Sequence, residues 1–419
     1  MSAYACSPGR GSEPGVGWGI VRALASRHEL WVIVESQFQR DIERALAAEP
    51  ALRRQLHFHF LPRTRHDALR RLWPPSYYWF YRRWHRDALQ LAQRLHREVR
   101  FDLAHQLTMV GFREPGYLWR LGIPFAWGPI GGMGLFPWRF LPSVGLRGAV
   151  YFAGYDLFNE LHMRFLTRPR RAARAAGAGL IAATQENARG AAERWGVEAT
   201  IVSEIGLPSE PAAEPSRRLP GEPLRLVWSG RHVPGKALNL AIEAVSQLPV
   251  SVSWRLEILG DGPRSRAWRE LAERRGVAGR CRFHGWLPRE EALEVTRRGH
   301  VMVITSLREL TSTVTVEALA LGLPVVCLDH CGFVDAVDAT CGIRVPVRAP
   351  TESVRALAEA IGALAADEGL RSRLAAGALR RARAFSWDQK AEVIGGLYQA
   401  RVDEARRAMA EAVLQGGTP

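Results

Sequence analysis

The sequence predicts an α/β protein built from two doubly wound domains, each a parallel sheet with helices on both faces. Strand-like apolar runs alternate with helical stretches through both halves of the chain. A segment without any burying period separates the two series, and each series has a glycine-containing turn directly after its first strand. At 419 residues, 47% hydrophobic and 24% charged, the chain has the length of two or three domains and enough apolar mass for large cores.

The first series runs through Leu30–Val34, His57–Leu61, Leu103–Leu107, Phe125–Trp127 and Gly179–Ala183. Ahead of it only Met1–Cys6 precede the first glycine-rich turn, so strand one is expected to be short or to begin upstream. Residues 206–223, rich in Pro, Glu and Ala, read as a linker. The second series follows as Leu224–Trp228, Arg255–Leu259, Arg282–His284, Val301–Thr305 and Pro324–Leu328, with helices over Leu238–Ser246 and Arg264–Arg274. Long Ala- and Arg-rich helical stretches, Glu352–Phe385 and Trp387–Val413, close the chain. The predicted organisation is an N-terminal domain over 1–207, a linker over 208–223, a second domain over 224–385 and a returning helix over 386–419, with a ligand cleft between the carboxyl ends of two sets of strands.

The net charge of +15 is compatible with nucleic acid, an anionic membrane face or phosphorylated ligands. The excess is arginine spread over helical segments with no RNA- or DNA-binding signature, so no nucleic-acid partner is expected. Five cysteines, unevenly spaced among apolar neighbours, read as buried thiols of a reducing compartment. No run approaches the ~20 apolar residues of a membrane span, and no signal core is visible, so the expected location is cytoplasmic. Two segments that mix aromatics with arginines, Leu72–Trp84 and Gly134–Arg171, read either as acceptor-cleft helices or as peripheral contacts with an anionic membrane at its inner face.

Two constellations carry chemistry. After Leu224–Trp228 come Gly230-Arg231-His232-Val233-Pro234-Gly235-Lys236. The glycine turns the chain off the strand, and Arg231 and Lys236 set two cations beside the next helix's N-terminus, an arrangement suited to a diphosphate. After Val301–Thr305 comes a polar loop containing Glu309, then a helix start at Ser312 and Thr313, with Glu317 about a turn inside and Gly322-Leu323-Pro324 as its stop. The hydroxyls and free amides of that start can hold phosphate oxygens, and the two carboxylates can accept from sugar hydroxyls. A solvated basic loop and two surface carboxylates are the bland alternatives for these motifs taken singly.

Glu309 and Glu317, with seven residues between them and Ala318 and Gly322-Leu323-Pro324-Val325 after them, resemble the E-x7-E signature of GT-B-fold, retaining glycosyltransferases of family 4. Arg231 and Lys236 are similar to that family's Gly-Arg-x4-Lys clamp, and Leu259–Pro263 and Phe283–Leu287 to its loops near the base. The resemblance implies two Rossmann-like domains facing across a cleft. It also implies Glu317 on the donor ribose, Glu309 at the donor sugar, Arg231 and Lys236 on the diphosphate, and Gly260, Gly285 and Leu287 beside the base. In the first half, Gly9–Trp18, with Gly15 and Gly17, resembles the glycine-rich loop that faces the donor phosphates. Phe101–His105 resembles the strand whose terminal histidine, here His105, faces the reaction centre, and Trp127–Gly132 resembles a cleft loop of an exopolysaccharide-type subgroup.

There are departures: Ala237 and Ser312 stand where many members have glycine, and Cys331–Asp335 replaces a glycine-pair loop. The function implied is transfer of a hexose from a nucleotide diphosphate sugar to a glycan or lipid-linked acceptor, with retention by a front-face route, in surface or exopolysaccharide assembly. No cofactor beyond the sugar nucleotide and no metal is expected, because fixed cations and helix amides stabilise the leaving diphosphate and the chain has no Asp-x-Asp pair.

Three competitors were weighed. A dehydrogenase reading, with Glu35 as ribose acid, fails because Pro14 stands near the third glycine of Gly-x-Gly-x-x-Gly. A zinc site from Cys327, His330, Cys331 and Cys341 lacks paired-knuckle spacing. The non-enzymatic alternative is a basic peripheral-membrane or scaffold protein with a degenerate sugar-nucleotide site.

Overall fold

The computed structural model describes residues 1–62, 76–207, 210–212 and 214–414. Of the aromatic segment Leu72–Trp84, residues 72–75 lie outside the described residues. The chain forms two compact units: Met1–Met133 with Glu160–Gly206 and Trp387–Pro419, and Gly134–Asn159 with Leu207–Ser386.

The first unit is a seven-stranded, all-parallel sheet of order β3-β2-β1-β4-β5-β6-β7, its strands being Ser2–Ala3 (β1), Leu30–Glu35 (β2), Leu56–Leu61 (β3), Ala104–Thr108 (β4), Phe125–Ile130 (β5), Leu180–Ala182 (β6) and Thr200–Ile201 (β7). β1 is only two residues long, in register with Ile33 of β2 and Gln106 of β4. Central strands read as apolar runs because both faces are covered, and β4 and β5 are buried along their whole length. The closing helix, Trp387–Leu414, seats the Trp387 ring in a slot lined by Gly19 and Gly206, where any Cβ would overlap the indole. Ala391 and Ile394 then enter the core, and the Lys390 ammonium donates to the Ser203 carbonyl at 2.7 Å.

The second unit is a six-stranded parallel sheet of order β10-β9-β8-β11-β12-β13. Its strands are Leu224–Ser229 (β8), Trp254–Leu259 (β9), Cys281–Gly285 (β10), Val301–Ile304 (β11), Val325–Leu328 (β12) and Gly342–Val345 (β13). Neighbours in the sheet advance outward from β8 on one side and from β11 on the other, so the order reverses between these two strands. A crevice opens outside their carboxyl ends at such a point.

Three expectations are corrected here, and one strand is added. Gly134–Asn159 belongs to the second unit, because Phe136, Phe140, Val144 and Phe152 bury themselves in its core. The linker segment, in its described residues, lies on that unit as well: Ala212 N–H donates to Ala320 O at 2.7 Å, and Arg371, 1% exposed, donates to Ser216. Backbone hydrogen bonds and one buried guanidinium hold it where apolar periodicity is lacking. Glu352–Phe385 is two helices, Pro350–Ala366 and Glu368–Arg383, broken where the Asp367 side chain caps the second by accepting from Leu370 N–H at 2.8 Å. β13, unread in the sequence, is a four-residue strand paired with β12.

Candidate donor-binding site

The site grows from the two strands that flank the reversal. β8 ends at Ser229, Gly230 leaves the sheet, and Pro234–Lys236 forms one tight turn before the Leu238–Ser246 helix. β11 ends at Ile304, and residues 305–312 lead into the Thr313–Ala320 helix. The two loops are tied together. Trp228 Nε1–H donates to Thr305 Oγ1 at 3.0 Å, Thr305 Oγ1–H donates to the Lys236 carbonyl at 3.1 Å, and Leu307 N–H donates to Gly235 O at 2.8 Å. A buried indole needs an acceptor, and this one is used to dock one loop on the other.

These ties bring Lys236 to Glu309, 73 residues apart in sequence, as a direct ion pair with both side chains about four-fifths covered. Burial pulls the Lys236 ammonium down to about 8, with the Cys331 side chain acting against that shift. The loop after β12 closes the same corner, since Gly332 N–H donates to Leu310 O at 2.8 Å. Arg231 is exposed, and its side chain makes no hydrogen bond or ion pair among the described residues. Glu317, inside the Thr313–Ala320 helix, accepts from Arg289 Nη2 at 2.5 Å, and Arg289 is itself largely exposed.

Beside the clamp loop, Gly260 (φ +107°) and Gly262 (φ +156°) press on it so closely that a Cβ would meet the Gly230 and His232 carbonyls. His232 N–H donates to Asp261 O at 2.9 Å, and Gly260 N–H donates to Gly285 O at 2.8 Å, which links the loops after β8, β9 and β10. Leu287 is half-buried just beyond. The structure thus brings Lys236, Glu309, Ser312 and Thr313 onto adjoining loops, with Glu317 one turn on, and puts Gly260, Gly285 and Leu287 on the loops to one side.

Two residues were not read in the sequence. Arg308 lies 3.5 Å over the Tyr155 ring, and Phe152 packs against Gly235, so the Gly145–Phe165 helix backs the clamp loop. The neighbouring Glu309 drew the reading away from Arg308, and Tyr155 sits in a segment whose unit no local signal reveals.

The departures from the family pattern have visible backbones. Ala237 (φ +47°) and Ser312 (φ +66°) hold left-handed conformations that favour glycine. Ser312 is 9% exposed and its side chain makes no capping bond. Ser312→Gly is therefore expected to stabilise the second unit by roughly 0.5–1 kcal/mol, after allowing for glycine's freedom in the unfolded chain. Differential scanning calorimetry should read a rise of about 1–3 °C.

The first-half expectations change. Gly15 and Gly17 lie within the Ser12–Leu24 helix, not in a loop. A Cβ on Gly15 would overlap the Arg10 carbonyl and one on Gly17 the Ala5 carbonyl, so these glycines let the helix pack against its own preceding turn and strand end. His105 is the second residue of β4, fully buried and away from the strand's carboxyl end. Gly128 O can only accept, so His105 Nε2 carries the hydrogen (2.8 Å) and Nδ1 accepts from Tyr398 O–H (2.5 Å). Both nitrogens are occupied and burial pulls the ring down to about 3, which makes it a neutral strut rather than the reaction-centre group expected.

His85 is likewise buried and lowered to about 3. In such cases the unfolded chain takes up protons near pH 6.5 while the native state does not until about 3, so stability is lost as pH falls below 6.5. The loss per ring should reach roughly 2 kcal/mol at pH 5. Urea unfolding at pH 7.5 and 5 checks this. His105→Ala should cost roughly 2–4 kcal/mol at pH 7.5 by orphaning the Tyr398 hydroxyl and the Gly128 carbonyl, and it should flatten the acid slope.

Cys327 lies inside β12, and among the described residues no group of three or more His, Cys, Asp or Glu side chains could hold a metal ion. Among them, too, no helix is long and apolar enough to cross a membrane.

This geometry, cations and a helix start at the reversal of a doubly wound sheet, lies where sheets of this kind bind anionic ligands. Residues 210–381 match the family model Glycosyl transferases group 1. The chain is 31% identical over 244 residues to a D-inositol 3-phosphate glycosyltransferase of Xylanimonas cellulosilytica, which covers 54% of this chain and 57% of that one. It is 31% identical over 149 residues to a putative colanic acid biosynthesis glycosyltransferase, WcaL, of Salmonella typhimurium, covering 34% of this chain and 37% of that one. The chain spans about half the length, or less, of these curated relatives. The crystal structure of Anabaena Alr3699/HepE in complex with UDP superposes with a TM-score of 0.57 at 14% identity, covering 93% of this chain and 98% of that one. The two doubly wound units are those of the GT-B fold.

Proposed function

We propose that this chain is a retaining glycosyltransferase that moves a hexose from a nucleotide diphosphate sugar to an acceptor hydroxyl on a glycan or lipid-linked glycan. The observation that carries the reading is the convergence of Lys236 and Glu309 beside the start of the Thr313–Ala320 helix, with the free Arg231 on the same clamp loop. Negative charge grows on the diphosphate as the C1–O bond to it breaks. In this reading Lys236, Arg231 and the first-turn amides at Thr313 and Val314 stabilise that charge, and no metal ion is required. In this reading Glu309, held beside Lys236, takes the donor sugar, and Glu317 the ribose.

The UDP in the Anabaena structure favours a UDP-sugar, and the name of the colanic acid relative favours surface-glycan synthesis. The test is a thermal-shift screen of UDP-, GDP- and ADP-sugars, followed by transfer of labelled sugar to lipid-linked glycans. A donor stabilises the folded state by mass action, by about 2.7 kcal/mol at a hundred times its Kd, and so raises the unfolding temperature. A chain that no sugar nucleotide stabilises would leave the basic scaffold reading in its place.

A further inference from the structure

The exposed large apolar side chains of the second unit are concentrated on one element. Trp138 is 71% exposed, Leu146 82%, Val150 67%, Tyr151 62% and Leu157 64%. All but Trp138 lie on the Gly145–Phe165 helix. At about 100° per residue, Leu146, Val150 and Leu157 fall within about 40° of one another, and Tyr151 and Phe158 extend the strip to about 140°. Phe152, Tyr155 and Asn159 fall on the opposite side, facing the core, Arg308 and the Gly134 carbonyl. Burial thus divides the helix cleanly into an inward and an outward face.

The charges are divided too. Asp156 is turned inward and accepts from Phe136 N–H at 2.9 Å, and Glu160 is held by Arg164 at 2.7 Å and Arg194 at 2.9 Å. The exposed charges on this face are Arg139 ahead of the helix and Arg147 within the strip, with Arg164, exposed but paired to Glu160, at its far end. A largely apolar surface with exposed arginines set in and before it, and no unpaired exposed carboxylate beside it, fits an interface between hydrocarbon and anionic headgroups. A second copy would bring the same arginines against each other.

We propose that this outward face, with Trp138 ahead of it, docks the protein on an anionic lipid bilayer, the helix lying in the interface plane. Docking stands independently of the sugar-transfer reading. If that reading also holds, the element seated on the membrane is the one that backs the clamp loop.

The experiment is flotation of the full chain with vesicles of phosphatidylcholine alone and of phosphatidylcholine with one third phosphatidylglycerol, at low and high salt. The expected result is co-flotation with the phosphatidylglycerol vesicles, weakened by salt. Val150→Glu with Leu157→Glu should lower the partition coefficient at least about tenfold, since two charges enter an apolar contact. Its melting temperature should be unchanged because both positions are exposed. Should that double variant fail to fold, Trp138→Ala with Tyr151→Ser asks the same question more gently. Wild-type protein that stays with the free fraction, or a folded variant that floats as well as wild type, overturns the proposal. A dimer in light scattering that the variant dissolves, without lipid binding, assigns the strip to a second copy instead.

Discussion

Lys236→Met is expected to lower kcat/KM for the donor by about 10²–10³-fold, the loss found when one preorganised charge-stabilising donor is removed from a reaction centre. Steady-state transfer with the sugar nucleotide identified by thermal shift measures it. The pH dependence gives an independent check. Burial holds the free Lys236 ammonium at about 8, and kcat/KM follows ionisations of the free enzyme. The charged form is the one that binds phosphate, so kcat/KM should bend downward as pH rises through about 8. In Lys236→Arg the guanidinium stays charged, and the bend should disappear even if the maximum is lower. The linked effect on folding has the opposite sense: between pH 8 and about 10.4 the unfolded chain holds a proton that native Lys236 has released, so stability rises with pH there. A Lys236→Met enzyme with unaltered donor kinetics would remove the basis for the proposed function.

Glu317→Ala is expected to weaken nucleotide binding about 10–100-fold, the equivalent of roughly 1.5–3 kcal/mol for hydrogen bonds to a charged group. The thermal shift at fixed ligand should shrink accordingly. In the structure Glu317 is engaged by Arg289, but Arg289 is exposed and the pair is worth little in water, so it gives way to a ribose at small cost. Arg289→Ala should therefore leave nucleotide affinity equal or a few-fold tighter, measured by calorimetric titration. Positions 317 and 236 separate cleanly by this means. Loss at 317 should appear in binding, whereas Lys236 acts on the charge that develops during transfer.

Much of the fold was legible because a parallel sheet buried on both faces writes its strands as short apolar runs with turn residues between them. β2, β3, β8, β9 and β12 stand within a residue or two of the runs read for them. The clamp loop and the Glu309–Glu317 segment were legible for a different reason. Each is a contiguous stretch at the end of a strand, where loops must carry polar groups. The first-half site was misread because glycine answers two needs with one residue. At 15 and 17 it admits a neighbouring carbonyl within a helix, and nothing local distinguishes that from a loop open to phosphate. His105 was misread because a histidine near a strand start and one at a strand end look alike until the partners of its two nitrogens are known.

The amino-acid sequence by itself determined the two sheets, the order of their strands along the chain and the two polar loops at their strand ends, because backbone periodicity and turn chemistry are local. Only the tertiary structure decided that Lys236 meets Glu309, that Gly134–Asn159 joins the second core, and that His105 is a buried strut. Those facts depend on which strands become neighbours and which apolar faces find each other. Both are settled by burial summed over the folded unit, which no single segment can express.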